Sequence, residues 1–183
     1  MIMRESARMK NEKNRVIIGI DGRCAAGKST LARELSLVLP CVLFHMDDYF
    51  LPPEKRTMER LSAPGGNVDH ERFHTEVALP LFRGDKDISF GRFDCKTGSF
   101  SRTSVEVQDI AVIEGSYSMH PEIDHIYDLR IFLTVDPAEQ MKRIKKRNGE
   151  KGAEAFRDKW IPMEERYFLA FGIKDKCDIV IGD

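Results

Sequence analysis

The sequence predicts an α/β protein whose mostly parallel sheet is covered by helices on both faces, and three observations carry that prediction. Short apolar, β-branched runs alternate along the chain with segments at helical spacing. The run Val16–Ile20 leads directly into Gly22, four spacer residues, Gly27, Lys28 and Ser29, the G-x-x-x-x-G-K-[ST] order of a phosphate-binding loop. Leu31 and Leu35 then continue at helical spacing. Strand, loop and helix in that order are the context this motif requires.

Taken in order, residues 1–15 are polar and mixed in charge, and read as a flexible N-terminal extension or a short surface helix. Residues 16–183 suit one domain, because a chain of 183 residues can bury roughly 70% of its unfolded surface in one core. After the first strand, loop and helix, Pro40 stops the pattern and Cys41–Met46 reads as a second strand. Leu51–Asn67, with Pro52, Pro53, Pro64, Gly65 and Gly66, has turn chemistry and no clean period, and is expected to be a mobile substrate-side loop. Asp69 can cap a helix to about Phe82, with Phe73, Val77 and Leu81 on one face.

Alternation from Ile88 to Val107 around Lys96-Thr97-Gly98 predicts a β-hairpin. Ile110–Ile113 is a further buried strand ending in Glu114-Gly115, and Leu129–Val135 another. Asp136-Pro137 then supplies the cap and first-turn proline of a basic helix to Arg147. Asn148-Gly149 breaks it, a helix follows to about Leu169, and Cys177–Ile181 closes as a strand. The whole predicts a three-layer α/β/α P-loop NTPase fold with a small hairpin and a helical lid.

A net charge of −1, with 42% hydrophobic and 32% charged residues, argues against a general binder of nucleic acid or anionic membranes. No apolar run is long enough to span a bilayer and residues 1–15 hold no hydrophobic signal region, so a cytoplasmic protein is expected. Cys24, Cys41, Cys95 and Cys177 form no C-x-x-C pair. Cys24 lies in the phosphate loop, either as an activated thiol beside Lys28 or as a small residue that fits.

A polyphosphate gripped by backbone amides needs glycine at the turning points and small neighbours between them. Gly22, Arg23, Cys24, Ala25, Ala26, Gly27, Lys28, Ser29 and Thr30 are therefore the predicted ATP-binding residues, with the helix N-terminus aimed at the anion. Lys28 reaches the terminal phosphates, and Ser29 offers a hydroxyl to Mg²⁺. Glu114, at a strand end, is the predicted second Mg²⁺ partner, directly or through water. Asp47, also just after a strand, is placed to accept a proton from an acceptor hydroxyl, with a second Mg²⁺ contact or a helix cap as alternatives. Arg143 and Arg147 lie four apart on one helix face, either as a lid over the phosphates or as an ordinary solvated surface.

Several segments together resemble the uridine kinase and phosphoribulokinase branch of P-loop kinases. They are GRCAAGKST (Gly22–Thr30), MDDYF (Met46–Phe50), NVDHERF (Asn67–Phe73), FDCKTGSF (Phe93–Phe100), VIEGSY (Val112–Tyr117), DLRIFLTVD (Asp128–Asp136) and Trp160-Ile161-Pro162 to Tyr167. The resemblance implies ATP- and Mg²⁺-dependent transfer to a hydroxyl of a small metabolite, a nucleoside in the first instance. Asp47 falls at the family's base position and Glu114 at its metal-associated acid. Asp69 matches the acid that holds ribose hydroxyls, with Tyr49 and His70 beside it on the substrate side. Phe93 stands where uridine kinases place a base-stacking Tyr, and Gly98 where they place a base-reading His. The MDDYF and Trp160 segments are also similar to nicotinamide riboside kinases, so the acceptor stays open between a nucleoside, another riboside and a sugar phosphate.

Two other classes compete. A P-loop switch or regulatory ATPase would need no acceptor, although no N-K-x-D is present to read guanine. His70-Glu71-Arg72-Phe73-His74 is a literal H-E-x-x-H, the pattern of zinc hydrolases, without an evident third ligand.

Overall fold

The structure, a computed structural model, describes residues 1–13 and 15–182. Its elements run α1 (Ile2–Glu12), β1 (Val16–Gly22), α2 (Lys28–Val38), β2 (Cys41–His45), α3 (Met58–Ser62), α4 (His70–Phe73) and α5 (Leu79–Arg83). The hairpin β3 (Asp87–Asp94) and β4 (Ser99–Glu106) comes next, then β5 (Ile110–Glu114), β6 (Leu129–Leu133), α6 (Pro137–Ala155), α7 (Ile161–Phe171) and β7 (Ile179–Ile181). Five strands form a parallel sheet in the order β2-β5-β1-β6-β7, with the antiparallel hairpin separate from it. This is the predicted α/β fold.

All seven residues of β1 are buried, which is why its sequence, Asp21 apart, is apolar and not alternating. Successive side chains enter two different cores. Val16, Ile18, Ile20, Val112 and Ile131 pack with Ala32 and Leu35 of α2 and with Ile2 and Met9 of α1. Ile17, Phe44, Ala111, Ile113 and Phe132 face the other way, against Phe73, Val77, Tyr167 and Phe168. Each fully buried Val, Ile or Phe contributes roughly 1.5–3 kcal/mol, so the sheet is anchored from both sides.

Two stretches differ from expectation. The segment read as a mobile loop contains α3, whose cap is Thr57 Oγ1 accepting from the Arg60 amide at 3.1 Å. Arg60 fastens it by donating to both carboxylate oxygens of Glu71 at 2.6 Å and to the carbonyls of Gly66 and Val68 at 3.1 and 3.0 Å. Five helical residues are too few to display a period. The helix expected from Asp69 to Phe82 begins as predicted, with Asp69 Oδ1 accepting from the Arg72 amide at 3.2 Å. A π-turn over His74–Ala78 then interrupts it before Pro80, which has no N–H to give to the preceding turn.

Asp136 and Pro137 start α6 as read: Asp136 Oδ1 accepts from the amides of Ala138 and Glu139 at 2.9 and 3.2 Å. The predicted break at Gly149 is a kink inside this helix, with φ 73° and ψ 174°.

Candidate active site

The sheet order brings the ends of β1, β5 and β2 side by side. Ile20 pairs with Glu114, and Glu114 with His45, so the chain leaves all three strands at one carboxyl edge. The residues that follow line one cavity of about 680 Å³, which holds Lys28, Ser29, Asp47 and Glu114 on one side. Arg143, Arg147, Phe156 and Trp160 form its other wall.

Gly22 makes the turn out of β1 at φ +131°, and a Cβ there would lie 1.9 Å from the Leu133 carbonyl oxygen. No other residue fits. Lys28 is buried, and its ammonium donates to the carbonyls of Gly22 at 2.6 Å and Arg23 at 3.0 Å. Among the described residues it has no carboxylate within ion-pair distance. Ser29 Oγ donates to Glu114 Oε2 at 3.0 Å, and the other oxygen of this buried carboxylate lies 2.6 Å from His45 Nδ1. A hydroxyl beside a carboxylate is an oxygen donor set suited to Mg²⁺, and a buried ammonium with no carboxylate in ion-pair contact suits a polyphosphate. The residues present therefore fit MgATP.

Two titrating groups respond to that acid. Its hydrogen bond raises the His45 pKa above the ordinary value, against the effect of burial. Asp47 opens to the cavity, yet burial and then the Glu114 charge push its carboxyl above the usual range, while Lys28 and His45 pull it back.

Arg143 and Arg147 also line the cavity. Arg143 donates to the Ala25 carbonyl at 3.2 Å and to Glu139 at 3.0 Å. Arg147 donates to Asn148 Oδ1 at 2.8 Å, with its guanidinium 5.5 Å from the centre of the Phe156 ring.

Four predicted substrate residues lie outside the cavity lining. Tyr49 is fully buried against Phe73, with the Arg72 guanidinium 4.0 Å above its ring. Asp69 caps α4 and accepts from Lys55 Nζ at 2.9 Å. His70 stacks on His120 at 3.9 Å between centroids, and Phe93 is buried. His74 turns instead toward His125, at 6.1 Å, so the two histidines of the H-E-x-x-H pattern address different partners. Among the described residues no group of three or more His, Cys, Asp or Glu side chains is set to hold a metal ion. The Cys24 thiol is the reverse of activated: burial, then the Glu164 charge, pushes it up to about 12 in spite of Lys28.

The acids that shape the loop escaped sequence reasoning. Asp21 is fully buried and accepts from the amides of Gly22, Tyr117 and Met119 at 2.7, 3.2 and 3.0 Å and from the Tyr167 hydroxyl at 2.8 Å. Burial raises its pKa to about 6, with Lys28 and those hydrogen bonds opposing. Glu164, also buried, accepts from the Cys24 amide at 2.9 Å and from Ser116 Oγ at 2.6 Å, and Gln140 donates to the Cys24 carbonyl at 3.0 Å. An acid inside an otherwise apolar strand was the available signal for Asp21. Glu164 had none, being 140 residues away from Cys24 in sequence.

A phosphate loop at the carboxyl edge of a parallel sheet, with Glu114 at the end of the adjacent strand β5 and Asp47 just beyond the end of β2, is the arrangement of a P-loop nucleotide-binding fold. No family model matches the chain. Among curated proteins, Uridine-cytidine kinase C of Dictyostelium discoideum is 28% identical over 133 residues, 71% of this chain and 29% of that protein. Uridine kinase of Halobacterium salinarum is 27% identical over 182 residues, covering 91% of this chain and 79% of its own length. Nicotinamide riboside kinase 2 of Mus musculus is 32% identical over 133 residues, or 70% and 66% of the two chains. The chain thus spans under a third of the first relative and about two thirds or more of the others. A solved structure of a possible uridine kinase from Bacillus stearothermophilus shares the fold, with a TM-score of 0.70 at 22% identity over 99% of this chain and 100% of that one. The chain is thus similar in sequence to uridine kinases and to a nicotinamide riboside kinase, and it shares the fold of a possible uridine kinase. No helix among the described residues is long and apolar enough to cross a membrane.

Proposed function

We propose that the protein is an ATP- and Mg²⁺-dependent kinase that phosphorylates a hydroxyl of a small ribosyl- or sugar-type metabolite, and nucleosides are the first acceptors to test. The observation that carries this reading is the meeting of Lys28, the Ser29–Glu114 pair and Asp47 in one cavity. That cavity continues past the phosphate loop to Phe50, Leu61 and Asn67, space that an acceptor-free ATPase would not use.

In this mechanism Lys28 and the loop amides hold the phosphates, and Ser29 and Glu114 hold the metal. When bound, Mg²⁺ supplies neutralisation of the charge on the terminal phosphates. Asp47 orients the acceptor hydroxyl and takes its proton, and its raised pKa brings it nearer to a useful base at neutral pH. Arg143 and Arg147 oppose the charge that spreads over the transferred group, and the α6 wall excludes water.

The test is ADP release from MgATP with a panel of acceptors including uridine, cytidine, nicotinamide riboside, ribulose 5-phosphate and pantothenate. One acceptor should stimulate release strongly, and Asp47→Asn should lower that turnover by ~10²–10⁴ with an unchanged circular dichroism spectrum. A variant that keeps near wild-type turnover removes Asp47 from the chemistry.

A further inference from the structure

The acceptor end of the cavity has an electrostatic character of its own. The cavity as a whole is lined by three acids, Asp47, Glu114 and Glu164, and by the cations Lys28, Arg56, Arg143, Arg147 and Lys159, the last over the Trp160 ring. Lys28, Arg143 and Arg147 belong to the phosphate-loop end, since Lys28 and Arg143 contact carbonyls of the loop itself and Arg147 sits one turn along from Arg143. Arg56 stands elsewhere. Its Nε donates to the Leu51 carbonyl at 2.7 Å, which fixes the guanidinium, and one terminal nitrogen reaches only the Cys95 sulfur, at 3.7 Å.

Three nearby arginines are matched with acids, Arg60 with Glu71, Arg72 with Glu76 and Arg92 with Asp48, and Arg166 donates to the Leu61 carbonyl at 3.0 Å. Among the described residues Arg56 has no carboxylate within 4.0 Å. Arg56, Asp47 and Cys95 all line the same cavity, with the Arg56 guanidinium 3.7 Å from the Cys95 sulfur. A second group points the same way. Asn67 lines the cavity at 6% exposure, and its buried Oδ1 has no hydrogen-bond partner. A buried acceptor without a donor costs about 1–3 kcal/mol, a cost that a bound hydroxyl or N–H removes. Asp69, the acid nearest in sequence, is turned to Lys55 and its own helix cap and lies outside the lining.

We propose that Arg56 binds an anionic group of the acceptor while Asn67 accepts from one of its hydroxyls, so that the substrate is a phosphate ester or carboxylate bearing a free hydroxyl and not an uncharged riboside. The proposal rests on the kinase reading above and names the acceptor class for it. A guanidinium donates in a planar fork that matches either anion, and the fixed Nε leaves terminal N–H groups available to it.

The experiment measures binding to protein first loaded with a non-hydrolysable MgATP analogue, so that the phosphate loop is already filled. Ribose 5-phosphate, ribulose 5-phosphate, glycerate and pantothenate form the anionic arms, and uridine and cytidine the uncharged ones. The expected result is calorimetric binding in a phosphate-ester or a carboxylate arm, which of the two giving the anion, and none in the uncharged arms. Arg56→Gln should weaken that binding roughly tenfold or more, the size of a lost charge-assisted hydrogen bond, and raise KM with little change in kcat. Binding of uridine or cytidine that Arg56→Gln leaves unchanged overturns the proposal and leaves the kinase reading standing. So does an absence of binding in every anionic arm. Failure of the MgATP analogue itself to bind would defeat the kinase reading, and the proposal with it.

Discussion

At the scale of single residues, Asp21 shows how a buried acid can organise a site while opposing the stability of the fold. Its four donors come from β1, from the turn after β5 and from α7, so one carboxylate sets the relative position of three segments around the phosphate loop. The native state keeps its proton up to about pH 6, whereas an exposed aspartate releases it near 3.8. Between those values the folded protein binds more protons than the unfolded one, so stability falls as pH rises, by roughly 3 kcal/mol in all. Urea titrations from about pH 4 to pH 7 should show that slope, and Asp21→Asn should remove it. The variant should also be less stable overall, because each carboxylate oxygen accepts from two donors and the amide nitrogen would then face two of the four. An unchanged slope in Asp21→Asn would assign the pH dependence to another group.

At the scale of elements, α6 is the part best suited to move. Arg143 and Arg147 ride on it, and Gly149 interrupts it with a backbone conformation that only glycine adopts readily. A Cβ at Gly149 would meet no neighbour, so the penalty for substitution there is conformational and not steric. Gly149→Ala should therefore cost about 1–3 kcal/mol, read as a lower Tm, or reset the kink, read as a fall in kcat with the loop still able to bind nucleotide. Wild-type values of both Tm and kcat would show that the kink has no bearing on the lid. At the same scale lies the boundary of what could be read in advance. The loop, Glu114 and Asp47 were legible because each follows an apolar strand at once, and parallel strands bring their ends together. The helix α3 was not, since five residues carry no period, and the π-turn before Pro80 left the buried face of Phe73, Val77 and Leu81 intact and so gave no sign of itself. Tyr49 and Phe93 were expected beside substrate from their place in motifs, and the structure buries both outside the cavity lining.

At the scale of the whole molecule, the sheet separates two cores, and the cavity opens at one of its edges. A ligand that fills it touches the ends of three strands and two helices, and its binding energy adds to the stability of the domain as one unit. At a hundred times its Kd, a non-hydrolysable MgATP analogue should stabilise the protein by about 2.7 kcal/mol, seen as a rise in Tm. Lys28→Ala should abolish most of that rise, and a variant with the full rise would show that Lys28 does not hold phosphate. The long-range partners of the loop were beyond sequence reasoning because nothing local marks them: Tyr167 reaches Asp21 from 146 residues away. Those partners have a kinetic consequence. Arg23 is paired with Glu165, the Cys24 amide with Glu164 and the Gly22 amide with Asp21, all contacts made within the chain itself. The backbone entropy of this loop is lost during folding and not at the moment of encounter, so an arriving phosphate meets a seat already formed. Capture then proceeds at a rate set by diffusion and charge, with no wait for the loop to order.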